Sequence, residues 1–118
     1  MDKKEIFYEV DKYIEEIATL NRIEAFYPDL FSRKLNIPIE LVMIALTDCV
    51  NNGKILLKYE IKCLNDFTTI KTVESMENLL NQTIECTLCG EEFQIDYSNI
   101  YPKFYIDPKY KEFIKKKK

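Results

Sequence analysis

Four side chains of this 118-residue chain can serve as thiols or as soft metal ligands: Cys49, Cys63, Cys86 and Cys89. The first five residues, Met1 to Glu5, offer no apolar stretch and predict no secretory leader. The cysteines are therefore expected in a cytoplasmic, reducing setting, as thiols or ligands rather than disulfides. Cys86 and Cys89 form a Cys-x-x-Cys pair. A dithiol redox role would call for a thioredoxin-like βαβ context, which the flanking sequence lacks. The absence of histidine excludes Ser-His-Asp and Cys-His nucleophile pairs, HExxH metalloproteases and Cys₂His₂ fingers. Two glycines, Gly53 and Gly90, cannot build a Walker loop or a GxGxxG turn. Carboxylates are plentiful, but no pair stands apart from ordinary surface charge, so a non-catalytic chain is expected.

The elements that must position these groups follow from hydrophobic periodicity. A chain with 47% apolar and 13% aromatic residues is too hydrophobic to be disordered and is long enough for a modest core. Its longest apolar run, residues 41–46, falls far below the ~20 residues of a spanning helix. Between residues 3 and 20, Ile6, Phe7, Val10, Ile14 and Ile17 recur at three- and four-residue steps, which predicts an amphipathic helix. A short extended piece over residues 21–26 follows. Pro28 suits the first turn of a second helix running through Leu30, Phe31 and Leu35. Asn36-Ile37-Pro38 interrupts it, because the residue before a proline avoids the α region. A third helix opens at Pro38, buries Ile39, Val42, Leu46, Cys49 and Val50, and ends at Asn51-Asn52-Gly53, where Gly53 supplies a left-handed cap. Cys49 lies on that apolar face and is expected to be a small core residue. Residues 54–63 (KILLKYEIKC) alternate as a strand does.

Three helices, a tight turn between the second and third, then a strand after glycine: residues 5–63 resemble a winged helix-turn-helix. The likeness rests on residues 30–38 (LFSRKLNIP) and on Val42, Leu46, Val50, Gly53 and Ile55. Winged helices serve both as DNA readers and as protein-docking modules. A DNA reader would place the N-terminal, solvent-facing part of the third helix in the major groove. Here that helix carries Glu40 and Asp48 and no Arg or Lys between Pro38 and Asn52. The first 62 residues hold nine basic and eleven acidic side chains, few cations for neutralising phosphates. Arg33, Lys34, Lys54, Lys58 and Lys62, with Arg22, form the cationic set that a DNA-binding alternative would use.

The segment from Ile84 to Phe93 (IECTLCGEEF) resembles a zinc-ribbon knuckle: two cysteines three apart, a glycine permitting the tight turn, then a return strand. Such a knuckle pairs with another from an earlier hairpin. That place is taken by Cys63-Leu64-Asn65-Asp66, with Asp66 where a second cysteine belongs and nineteen residues before Cys86. The likeness spans residues 59–97, with strands over 68–73 and 92–97 and a turn or short helix over 75–81. It implies zinc as a structural cofactor, held by Cys63, Asp66, Cys86 and Cys89. Zinc accepts a carboxylate oxygen at ~2.0–2.2 Å, so a Cys₃Asp tetrahedron is chemically sound. Two other readings stand beside it: a decayed site with free thiols, and cysteines that pair with those of a partner chain.

Six aromatics lie between Tyr97 and Phe113, interleaved with Lys103, Lys109 and Lys111. Aromatics and cations together can stack and clamp single-stranded nucleic acid. An edge strand over residues 103–106 whose aromatics complete a small core is the plainer expectation. An exposed patch of Tyr101, Phe104, Tyr105 and Tyr110 would instead mark a protein interface.

The expected class is thus α+β: a three-helix winged helix-turn-helix over residues 1–62, a zinc-ribbon-like β unit with an aromatic C-terminal strand over 63–114, and a frayed basic tail over 115–118. The combination resembles small accessory modules of bacterial regulatory and defence proteins, and richness in Lys, Ile, Asn, Glu and Tyr suits an AT-rich bacterial or phage genome. The expected function is a non-catalytic adaptor, docking to a larger protein or complex or to a second copy as a homodimer, without a membrane role. A DNA-binding transcriptional regulator is the alternative.

Overall fold

A computed structural model describes residues 2–117 of the protein. The chain runs α1 (Lys3–Ala18), β1 (Ala25–Phe26), α2 (Pro28–Leu35), α3 (Ile39–Asn51), β2 (Ile55–Lys62), β3 (Thr69–Val73), β4 (Thr83–Glu85), β5 (Glu92–Gln94), a 3-10 helix (Tyr97–Asn99), β6 (Ile100–Ile106) and α4 (Pro108–Lys117). It is an α+β fold. Its strands form a sheet of order β1-β6-β2-β3 and a separate β4-β5 ribbon. None of the described helices is long and apolar enough to cross a membrane.

Local chemistry explains most boundaries. Asp2 caps α1 by accepting from the Glu5 amide at 2.9 Å, leaving Ile6, Val10, Ile14 and Ile17 on the buried face. That helix stops at Ala18, two residues short of the expected span. Pro28 opens α2, and Asn36 closes it in the left-handed conformation (φ 55°), a role asparagine fills when glycine is absent. Ser32 Oγ then donates to the Ile37 carbonyl at 2.7 Å, fixing the turn into α3. Gly53 (φ 78°) ends the run after α3 and leads into β2.

The chain divides into two compact units: one takes the residues up to Leu57 together with those from Phe104 onward, the other is Lys58–Lys103. This differs from the expected boundary at residue 62, and the reason is apolar. Phe104, Ile106 and Ile114 belong to the core built by Val10, Ile14, Phe31, Val42 and Leu46. Phe104 stacks on Phe26 with ring centroids 5.7 Å apart, and Phe26 packs on Phe31 at 4.7 Å. The Ile106 amide donates to the Glu24 carbonyl and the Asp107 amide to the Lys54 carbonyl, at 2.9 and 3.0 Å. The chain therefore returns to the first unit beside the point where it left.

Three further expectations are corrected. β6 is no edge strand, because the two residues of β1 pair along its outer side, Phe26 opposite Phe104 and Ala25 opposite Tyr105. Residues 115–117 are not frayed: they continue α4, and Lys115 donates to the Asn21 side chain. The strand expected over 92–97 ends at Gln94, because Asp96 caps a 3-10 turn by accepting from the Ser98 amide. The helix α4 itself was not expected, although Asp107-Pro108 carries its start signal. Asp107 Oδ1 accepts from the Lys109 and Tyr110 amides.

The second unit is small. Its core is Ile61, Leu79, Ile95 and Ile100, with Tyr59, Val73, Met76, Leu80 and Ile84 packed around them. Glu60, 5% exposed, lies 3.5 Å from both Lys62 and Lys103, so this buried carboxylate has two cations to pair it.

The first core sets a direct test. Replacing the fully buried Phe104 with alanine should cost about 3–5 kcal/mol in denaturant unfolding. Phe113→Ala, at a ring 60% exposed, should change stability by no more than about 0.5 kcal/mol.

Candidate metal centre

Two turns of the second unit share one backbone design. In the first, the Cys63 amide donates to the Thr68 carbonyl at 2.9 Å and the Phe67 amide donates back to the Cys63 carbonyl at 2.9 Å. In the second, the Cys86 amide donates to the Glu91 carbonyl at 3.0 Å and the Gly90 amide donates to the Cys86 carbonyl at 2.7 Å. The residue four places after each leading cysteine is left-handed in both, Phe67 at φ 61° and Gly90 at φ 77°. Aligned by these bonds and by the left-handed fifth residue, Cys63-Leu64-Asn65-Asp66-Phe67 matches Cys86-Thr87-Leu88-Cys89-Gly90. Asp66 thus occupies the place that Cys89 occupies in the second turn.

The two turns bring four ligand groups together. Cys63, Asp66, Cys86 and Cys89 each offer one ligand atom, and these atoms all lie within 4.8 Å of one another. Cys63 Sγ and Cys89 Sγ stand 3.5 Å apart, and Cys86 Sγ faces Asp66 Oδ2 at 3.9 Å. None of the four cysteines of the chain is in a disulfide. Cys63 and Cys86 are buried, whereas Cys89 and Asp66 face solvent. The other oxygen of Asp66, Oδ1, accepts from the Thr68 amide at 2.9 Å. This bond turns Oδ2 toward the thiols, the outer-shell orientation that a ligating carboxylate needs. Three thiols and one carboxylate at this spacing are a soft, tetrahedral-sized donor set, suited to a divalent ion of the zinc type.

Electrostatics separate the thiols. The Thr68 amide, with its side chain, holds the Asp66 carboxyl below its ordinary value. A hydrogen bond from the Glu91 backbone, then contact with Cys63, lowers the Cys89 thiol. At Cys63 the Asp66 backbone also favours the thiolate, but burial and the Cys89 and Cys86 thiols outweigh it and push that thiol up to about 11. Cys49 is elsewhere, 3% exposed on α3, and burial followed by the nearby Asp11 carboxylate pushes it up to about 12. It is a core residue, as its place on the apolar face predicted.

The remaining predicted residues separate. Arg33 and Lys34 are exposed in the last turn of α2. Lys54 pairs with Asp11 and lies 5.8 Å from the centre of the Tyr110 ring. Lys62 is engaged by Glu60 and stands 6.0 Å over the Tyr101 ring. Lys58 is half-buried on β2. Phe104 cannot belong to an exposed interface, since it is fully buried. Tyr101, Tyr105 and Tyr110 are each half-buried, and Tyr101 meets the edge of Phe67 at 6.0 Å.

Three contributors to the centre were not anticipated: Thr68, which orients Asp66; Asn65, whose side-chain amide points to Cys89 Sγ at 3.9 Å; and Phe67. Alignment of the two turns position by position would have set Phe67 against Gly90 and exposed it as the left-handed residue. Comparison of the chain with protein-family models, curated proteins and solved structures finds no match.

The thiol environments predict an order of reaction. With chelator present at pH 8, brief iodoacetamide labelling of the native protein should modify Cys89 first and Cys49 last, read by peptide mass spectrometry. Alkylation needs the thiolate, so Cys49 should stay unmodified until the chain unfolds.

Proposed function

We propose that this protein is a non-catalytic docking module in which a winged-helix scaffold carries a zinc-ribbon-like unit within its wing, closed by a Cys₃Asp zinc site. The helix order, the left-handed Asn36 turn before α3 and the short β1 beside β6 support the scaffold. The supporting evidence for the ribbon is the pair of like turns with their converging ligand atoms. Cys63, Cys86 and Cys89 would supply thiolates, Asp66 one oxygen through Oδ2, and the bound ion would act as a structural cross-link. No reacting group in the site calls for an open coordination position.

One observation carries docking over DNA reading. The solvent face of α3, the element a DNA reader would insert, presents Glu40, Leu41, Ile44, Thr47 and Asp48. Leu41 and Ile44 are 38% and 51% exposed. With Lys3, Ile6 and Phe7 of α1 they line a shallow groove, the kind of apolar surface that marks a protein contact. Phosphate neutralisation by this face would be poor. The partner we favour is a larger protein of a bacterial or phage regulatory or defence assembly, presenting an apolar segment to this groove.

Two measurements test the reading. Elemental analysis of the purified protein should find one equivalent of zinc, lost in both Asp66→Ala and Cys86→Ser; a metal-free, fully folded wild type overturns the site. For docking, a tagged chain purified from its native host should retain a defined protein that the folded Leu41→Glu/Ile44→Glu variant loses. Retention on duplex DNA in about 50 mM salt, dependent on Arg33 and Lys34, would instead establish the regulator.

A further inference from the structure

The tetrad holds an odd number of thiols, and their arrangement is uneven. In an all-cysteine ribbon each turn could close its own disulfide. Here the first turn has a single thiol, because Asp66 stands in the second place. Cys63 Sγ lies in van der Waals contact with Cys89 Sγ across the two turns, at 3.5 Å. Cys86 Sγ also meets both other thiols, but it donates to Asp66 Oδ2, 3.9 Å away, and the direct sulfur–sulfur hydrogen bond is the one between Cys63 and Cys89. Cys89 faces solvent, while Cys63 and Cys86 are buried. A disulfide needs a sulfur–sulfur distance of about 2.05 Å, so Cys63 and Cys89 must approach by roughly 1.5 Å from the 3.5 Å at which they stand.

We propose that Cys63 and Cys89 are a peroxide-oxidisable pair, and that their disulfide replaces zinc as the link between the two turns. The Cys89 thiolate attacks a hydroperoxide oxygen; the O–O bond breaks, water or alcohol leaves after taking up a proton, and Cys89 becomes a sulfenic acid. The Cys63 thiolate then attacks the Cys89 sulfur, the S–O bond breaks, and hydroxide leaves and is protonated to water. Two thiolates have lost two electrons, and the peroxide has gained them. Zinc, deprived of two of its three sulfurs, leaves as the hydrated ion. Cys86 and Asp66 remain unlinked. The covalent bond spans the same 26 residues that the ion had bridged, so oxidation exchanges one staple for another instead of dissolving the unit.

Only the zinc release rests on the site proposed above; the cross-link rests on the thiol geometry alone. The test treats the zinc-loaded full chain with one equivalent of hydrogen peroxide, follows released zinc with a metallochromic dye, alkylates the remaining thiols, and maps disulfides in a non-reducing digest. The expected result is a Cys63–Cys89 peptide pair with Cys49 and Cys86 alkylated, and one zinc released per disulfide. Asp66→Ala, unable to hold zinc, should form the same link. A Cys86–Cys89 pair as the main product, or Cys89 driven to sulfinic acid without a link, overturns the proposal. A wild type that carries no zinc yet forms the Cys63–Cys89 link refutes the metal site and the exchange with zinc, and leaves the cross-link itself standing.

Discussion

The amide-to-carbonyl hydrogen bonds that shape the two cysteine turns are what the second unit depends on. Each turn spends both its bonds on one backbone geometry, Cys63 with Thr68 and Phe67, Cys86 with Glu91 and Gly90. Those bonds need no side chain, so the turn survives a change of ligand at its fourth position. They also fix where that ligand must point. Once the turns face each other, four donor atoms fall within 4.8 Å, and the question of what joins them follows. Residues 58–103 have four aliphatic residues at the centre of their buried core, a small store of apolar burial for a chain segment of this length. Units of such size commonly lean on a metal or disulfide. The cross-link is therefore the natural complement of a thin core.

The first unit rests on a different physics. Its core draws on α1, α2, α3 and the far end of the chain, with Phe26, Phe31 and Phe104 forming a continuous aromatic stack. Such burial is cooperative and indifferent to metal. Because the chain leaves through β2 and returns through β6, closed by the Asp107–Lys54 hydrogen bond, the inserted segment can vary without disturbing the host.

The first three helices are legible from periodicity, and Pro28, Pro38 and Gly53 mark the boundaries of α2 and α3. The four members of the candidate centre were legible by spacing. What escaped is tertiary or conformational. That β6 runs inside the sheet depends on the end of the extended piece over 21–26 pairing along it as β1, a partnership that local pattern does not show. That Phe104 packs with the helices rather than with residues 58–103 depends on its register against Phe26, which local alternation cannot reveal. The helix α4 was passed over because its lysines mask the single buried Ile114. The left-handed Phe67 was hidden because only glycine and asparagine advertise that conformation.

Phe67 follows Asp66 in the first turn. A bulky residue at φ 61° costs about 1 kcal/mol or more relative to glycine, a cost that local contacts must offset. Here the conformation is held by the Phe67–Cys63 hydrogen bond, and the ring finds Tyr101 at 6.0 Å. Beside it, the Thr68 amide binds one carboxylate oxygen and presents the other to the thiols. The same bond from a side-chain oxygen to the amide two residues on orients Asp96 and Asp107, where no metal is in question. What sets Asp66 apart is that its second oxygen faces a thiol, which makes the first turn compatible with an oxygen ligand.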